Sequence, residues 1–429
     1  MEINEARSLN GELKIPGDKS ISHRSVIISS LINNSIVIEN FLFCQDCIKT
    51  IDVLNKLGVK IEKIDSNLIV HGKGIKNLSE PDQILEVGNS GTTIRIMSGV
   101  LSATNFMSVL SGDSSINNRP MKRIIDPLLE MGAEVNGREN NLKAPIVIFG
   151  NSNLKGKKFK LKVSSAQVKS SILMAALNAE GTTEIIQPEV SRDHTERMLQ
   201  YFGADIVYDG KYTKLKPGRE LIAKNIYVPG DISSAAFFIV ATLILKDSHT
   251  VMRDIGVNPT RSYFIEILKK MGGKIIIKNQ RIINNEPIAD IETFSSDLSS
   301  IEIDKDKIPG IIDEIPILCV ASTVAKGKTV IRGAGELRYK ESDRIRAIVS
   351  QFKKLKVNIE EKEDGMVIEG DANFRAGEGI VDSFGDHRIA MSLYILGLLS
   401  IGKVTILNSE CIDTSFPGFK YDLKKVLAP

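Results

Sequence analysis

The stretch HRSVIISSLINNSIVIENF, residues 23–41, decides the fold because it recurs. Small and apolar residues crowd every face of a helix-length run, a short polar turn follows, and a β-branched strand closes the segment. The same order returns in TIRIMSGVLSATNFMSVLSG (93–112), SSILMAALNAEGTTEIIQ (170–187), SAAFFIVATLILKDSHTVMRD (234–254), EIPILCVASTVAKGKTVIRG (314–333) and HRIAMSLYILGLLSIGKVTILN (387–408). Six copies spaced about 70 residues apart are an internal repeat, and a period this long is unlike a thin solenoid of 20 to 45 residue units.

A second signature runs out of phase with the first. NKLGVKIE, LEMGAEV, QYFGADIVY and KKMGGKIII each end a helix at Gly and enter a strand, as expected where Gly takes the left-handed position after the last helical turn. In a fifth copy, FKKLKVNIEE, Lys356 replaces the Gly, and a sixth copy is not clear. Each unit therefore carries two helices and several strands, and the class is α/β. Two globules of three units are expected, divided near NIYVPGD (225–231), with the strand GELKI (11–15) ahead of the first unit and assignable to either globule.

Bulk composition narrows the function. The chain has 429 residues, 42% apolar and 25% charged, with 56 Lys and Arg against 53 Asp and Glu for a net charge of +3. Few aromatics and no long basic run argue against a nucleic-acid surface. The longest apolar run, AAFFIVATLIL (235–245), is too short for the roughly 20 residues of a membrane span. The start, MEINEAR, has early acids and no apolar core, so the cytoplasm is the expected location. Cys44, Cys47, Cys319 and Cys411 are too few and scattered for a disulfide framework, and the CxxC of Cys44 and Cys47 reads as the start of a helix rather than a metal site.

The chemistry concentrates at the starts of the small-residue helices. Polar clusters stand there: GDKSISHR at 17, GNSGTTIR at 88, SSAQVKS at 164, PGDISSA at 229, DE at 313 and GDHR at 385. GDKSISHR is not a P-loop, since five residues separate Gly11 from Gly17 where four are required and Asp18 precedes Lys19. Ser, Asn and Asp at these points have a capping role. Capping does not explain Lys19, Arg24, Arg95, Lys169 and Arg388, cations set in first turns against the helix dipole, and these point to external anions. Further charge lies in NNRPMKR (117–123), SRDHTER (191–197) and LRYKESDRIR (337–346). Asp313 and Glu341 are the carboxylates set among these cations, suited to proton transfer or to structural ion pairing.

Together GDKSISHR, GNSGTTIR, NNRPM, SAQVKS, SRDHTE, NPTR (258), DEIPIL, KESDRI, GDHRIAMS and TSFPGF (414), ordered from 11 to 420, resemble the 5-enolpyruvylshikimate-3-phosphate synthase family of enolpyruvyl transferases. The resemblance implies a two-domain inside-out α/β barrel of six βαβαββ units, three per domain. It implies an N-terminal lobe of residues 16–228, a C-terminal lobe of 1–15 plus 229–429, and an active site in the cleft between them. It also implies transfer of the enolpyruvyl group of phosphoenolpyruvate to the 5-hydroxyl of shikimate 3-phosphate, through a tetrahedral intermediate, by a cytoplasmic monomer with no metal or organic cofactor and no nucleic-acid or membrane partner.

Carried over by motif, Asp313 is the base for the hydroxyl, Glu341 the proton carrier at the methylene carbon, Lys19 a group touching hydroxyl and phosphate, and His387 their neighbour. Lys19, Ser20, Arg24, Ser165, Ala166, Gln167, Arg192, Asp313 and Lys340 align with shikimate 3-phosphate contacts. Lys19, Gly91, Arg119, Gln167, Arg344 and Arg388 align with phosphoenolpyruvate contacts. Thr414 stands where one branch of the family has Lys, and SAQVKS, SRDHTE and NPTR resemble the branch associated with glyphosate tolerance, yet Gly91 is the small residue of sensitive members, so the motifs leave inhibitor response open. The related transferases acting on UDP-N-acetylglucosamine carry a reactive Cys in a loop that corresponds to SGDSSINN (111–118), which has none.

Overall fold

The computed structural model describes residues 1–428. Its main helices, leaving aside single-turn segments, are α1 (Lys19–Ser30), α2 (Gln45–Lys56), α3 (Gly91–Ser102), α4 (Lys122–Glu130), α5 (Ala166–Ala176), α6 (His194–Tyr201), α7 (Ile232–Ile244), α8 (Tyr263–Lys270), α9 (Ile315–Val324), α10 (Arg344–Lys354), α11 (His387–Gly397) and α12 (Phe419–Val426). The odd-numbered helices are the six small-residue segments. They are buried almost throughout: Ile21–Ser30 in α1, Val168–Ala176 in α5 and all of α11 are buried. Small residues allow this close packing, for a β-carbon on Gly99 of α3 would lie 2.0 Å from the Ser171 carbonyl oxygen of α5. Several buried hydroxyls are satisfied within their own helices, as Ser98 donates to the Ile94 carbonyl at 2.6 Å and Ser170 to that of Ala166 at 2.7 Å. The even-numbered helices are amphipathic; α2 buries only Cys47, Thr50, Val53 and Leu54.

Each odd helix feeds a strand that lies parallel to a leading strand, and a hairpin after the even helix adds two antiparallel strands. In the second unit, Leu85–Glu86 pairs parallel with Met107–Ser111, followed in the sheet by Lys143–Phe149 and Glu134–Gly137. Two leading strands come from elsewhere in the chain. Ile226–Tyr227 leads the first unit by pairing with Ser35–Glu39, while Ser8–Leu13 pairs parallel with His249–Gly256 and so leads the fourth. In the sixth unit Val404–Leu407 is flanked by Gly379–Asp382, parallel, and by Glu2–Ile3, antiparallel.

Contacts divide the chain into two compact units. One holds Met1–Pro16, Pro229–Arg281 and Pro287 onward; the other holds Gly17–Val228 and Ile282–Glu286. Each has its own apolar core. In the first, α7, α9 and α11 touch one another, and Phe238, Tyr394 and Phe416 pack against Phe419 with ring centroids 5.4 to 5.7 Å apart. Phe416 and Phe419 of the TSFPGF motif are thus core residues. In the second, α3 touches both α1 and α5.

Two features of the repeat make quantitative predictions. Gly132, just past α4, has φ +93°, and Lys356 holds the equivalent position after α10 at φ +66°, so the chain there tolerates a conformation that disfavours side chains. No atom lies within 4 Å of a β-carbon built on Gly132. Gly132→Ala is therefore expected to lower unfolding stability by about 1 kcal/mol through backbone conformation alone, read from the denaturant midpoint. The second feature is His23, fully buried in α1. Burial first, then the nearby charges of Lys19 and Arg24, hold its pKa well below 6.5 against the opposing influence of Asp18. The unfolded chain takes up a proton near pH 6.5 that the folded chain refuses, so this group costs stability as pH falls below that value. The stability advantage of the wild-type chain over His23→Gln should shrink by up to about 1.4 kcal/mol per pH unit in chemical unfolding series below pH 6.5.

Candidate active site

In the unit that begins at Gly17, the functional side chains gather at helix starts. A β-carbon on Gly17 would lie 2.1 Å from the Asn40 carbonyl oxygen, so only Gly fits this entry to α1. Asp18 caps α1 by accepting from the Ile21 amide at 2.9 Å. Lys19 donates to Asp46 Oδ2 at 2.8 Å, and Asp46 stands in the first turn of α2, where a carboxylate suits the dipole. Arg24, 4% exposed, donates to Thr195 Oγ1 at 2.8 Å, to Ser170 Oγ at 3.0 Å and to the Ser20 carbonyl at 3.0 Å. It thereby ties α1 to α5 and α6.

Ser90 caps α3 and Gly91 opens it. Arg119 Nη1 lies 3.1 Å from where a Gly91 β-carbon would stand, so any side chain there would press on that guanidinium. Arg95 donates to Gln167 Oε1 and to the Pro120 carbonyl, and Gln167 Nε2 donates to Thr92 Oγ1 at 3.1 Å. Ser165 caps α5, Ala166 is its first residue, and Arg192 sits in the loop just before α6. Gly91, Arg119 and Gln167 thus share one neighbourhood, while Arg24 joins Ser20 to α5 and α6.

Lys169 behaves differently from the expectation that first-turn cations await external anions. It is 1% exposed and 2.5 Å from Glu196, itself 1% exposed, so its charge is met inside the protein. Arg95, 2% exposed, likewise serves to hold Gln167.

In the other unit a buried guanidinium organises the acids. Arg344, 1% exposed, opens α10 and donates to Asp386 Oδ2 at 2.8 Å, Glu341 Oε2 at 2.6 Å and Asp313 Oδ1 at 3.2 Å. Burial works against its charge, but Asp386, Glu341 and Asp313 outweigh it and raise its pKa above the ordinary guanidinium value. Lys340 Nζ is also 3.2 Å from Asp313 Oδ1. Arg388 donates to the Asp313 backbone carbonyl at 2.9 Å and lies 3.7 Å from Glu314 Oε1. His387 Nδ1 is 3.4 Å from Thr414 Oγ1, so the residue that replaces the Lys of one family branch is a neighbour of His387.

Exposure separates the supporting groups from the reachable ones. Asp386 and Glu314 are fully enclosed, whereas Asp313 (13%), Glu341 (23%), Lys340 (24%) and Arg388 (11%) keep some access. Two accessible carboxylates bordered by cations can pass protons beside an anion. Among the described residues no group of three or more His, Cys, Asp or Glu side chains is arranged to hold a metal ion.

Sequence reading missed Asp46, Thr195, Glu314 and Asp386 as partners of the named residues. Asp386 had the clearest signal, an acid at the cap of GDHR, where it accepts from the Arg388 amide at 2.9 Å while bracing Arg344. Arg261 of NPTR is a brace as well, donating to the α7 cap Asp231 at 3.2 Å while 2% exposed.

Comparison with known proteins places these motifs. A family model described as EPSP synthase (3-phosphoshikimate 1-carboxyvinyltransferase) matches residues 3–423. The 3-phosphoshikimate 1-carboxyvinyltransferase of Petrotoga mobilis is 49% identical over 428 residues, and that of Geobacter metallireducens 47% over 426, each alignment covering 99% of both chains. A solved EPSP synthase from Acinetobacter baumannii superposes with a TM-score of 0.89 at 41% identity, covering 99% of this chain and 97% of that one. The two-domain inside-out α/β fold is therefore shared, and the chain belongs to the EPSP synthase family.

Proposed function

We propose that this chain transfers the 1-carboxyvinyl group of phosphoenolpyruvate to the 5-hydroxyl of shikimate 3-phosphate and releases phosphate. The observation that carries the reading is the pair Asp313 and Glu341, both accessible and both held by Arg344. Glu341 gives a proton to the methylene carbon of phosphoenolpyruvate, which makes the adjacent carbon electrophilic. The substrate hydroxyl attacks that carbon while Asp313 accepts its proton, forming a tetrahedral intermediate. Loss of phosphate and return of one methyl proton to Glu341 regenerate the vinyl group.

The assigned contacts divide between the two substrates. Lys19, Ser20, Arg24, Ser165, Ala166, Gln167, Arg192, Asp313 and Lys340 bind shikimate 3-phosphate. Lys19, Gly91, Arg119, Gln167, Arg344 and Arg388 bind phosphoenolpyruvate, with His387 beside the reacting atoms. Arg suits the phosphate and carboxylate groups by bidentate geometry. The enzyme works as a cytoplasmic monomer; among the described residues no helix is long and apolar enough to cross a membrane.

A correctly placed acid or base contributes roughly 10²- to 10⁴-fold in rate. Asp313→Ala and Glu341→Ala should each lower kcat by about that factor while leaving substrate binding, measured by calorimetry, within several-fold. Near-normal turnover in either variant contradicts the assigned roles. Phosphate release with UDP-N-acetylglucosamine as the sole productive acceptor contradicts the substrate.

A further inference from the structure

Three helices of the unit beginning at Gly17 are joined by a run of buried polar groups that the steps above do not use. His23 Nδ1 of α1 is 2.7 Å from Thr50 Oγ1 of α2, which is 2.7 Å from Thr93 Oγ1 of α3. The Thr93 hydroxyl donates to Ser90 Oγ at 2.7 Å, and the Thr93 amide donates to the same oxygen at 3.2 Å. All four residues are 0% exposed.

The direction of the bonds follows from their end. Since Ser90 Oγ receives the Thr93 hydroxyl proton, Thr93 Oγ1 accepts from Thr50 and Thr50 Oγ1 accepts from His23 Nδ1–H. This places the proton of a neutral His23 on Nδ1 and leaves Nε2, which is buried with no hydrogen-bond partner, as a bare acceptor. A buried acceptor without a partner is tolerated better than a buried donor.

Both ends of this run touch the proposed site. His23 lies between Ser20 and Arg24 on α1, and Ser90 immediately precedes Gly91, where Arg119 approaches. Thr50 is one helical turn beyond Asp46, so a single face of α2 carries both the partner of Lys19 and the bridge between α1 and α3. We propose that Thr50, with His23 and Thr93, is a positioning set that fixes the first turns of α1 and α3 relative to each other for phosphoenolpyruvate binding. Satisfied directional bonds between buried groups rigidify their surroundings and specify one arrangement. The inference rests on the phosphoenolpyruvate contacts assigned above.

Thr50→Val keeps the shape and removes the hydroxyl, leaving the His23 N–H without its acceptor and Thr93 Oγ1 without the bond it accepts, while the Thr93 hydroxyl still donates to Ser90. Its KM for phosphoenolpyruvate should rise about 5- to 100-fold, the effect of leaving one buried donor unmatched beside the site, with kcat and the KM for shikimate 3-phosphate within about three-fold. Thr50→Ser should restore wild-type constants to within about two-fold. Thr93→Val should reproduce the Thr50→Val effect, and the double variant should be no worse than either single one, as expected for links in one chain. An unchanged KM for phosphoenolpyruvate in a wild-type-active background overturns the inference, as does a Ser variant that behaves like Val. If the wild-type chain forms no product from the two substrates, the functional reading fails and the inference falls with it.

Discussion

A helix buried on every side can meet substrate only at its ends. Six helices of this chain are in that position, so the repeat confines chemistry to their first turns and to the loops that enter them. At an N-terminus the backbone offers unpaired N–H groups and a partial positive charge, which makes the available chemistry anionic by default. Ser, Ala and Gly serve a fold purpose and a site purpose together. They let the helices approach closely enough to be enclosed, and they leave the starts open enough for Arg119 to crowd against Gly91.

The cations placed against the dipole follow from the same constraint, and the structure sorts them by function. Lys169 is neutralised within the fold by Glu196, and Arg95 fixes Gln167. Arg344 is enclosed by three carboxylates and sets the positions of two that remain accessible, Asp313 and Glu341. Lys19, with Asp46 as its partner, and Arg388, resting on the Asp313 carbonyl, keep enough access to face a ligand. First-turn cations are thus a mixture of groups met inside the fold and groups that keep access.

Much of this was legible in the amino-acid order. The repeat appeared because each small-residue helix and its β-branched strand are local patterns, and the helix-start clusters appeared because capping residues and cations rarely coincide. The family motifs then identified residues that one sequence cannot rank by physics alone. What stayed hidden was non-local. Nothing in GELKI says that its strand, Ser8–Leu13, will lead the fourth unit by pairing with residues 249–252, or that Ile226–Tyr227 will lead the first. Asp46 reads as an ordinary first-turn acid until α2 is packed beside Lys19. The Lys356 departure from the Gly signature was visible, but only the backbone shows that Lys adopts the left-handed conformation there.

The central claim is that turnover proceeds by adding a proton to the methylene carbon of phosphoenolpyruvate and later removing one. Turnover in D₂O, with the product methylene followed by proton NMR, tests it most directly. A transient methyl group carrying one solvent deuteron should leave deuterium in the product methylene, and Glu341→Gln should suppress product formation and exchange together. A product formed at the normal rate with a fully protiated methylene would contradict the account.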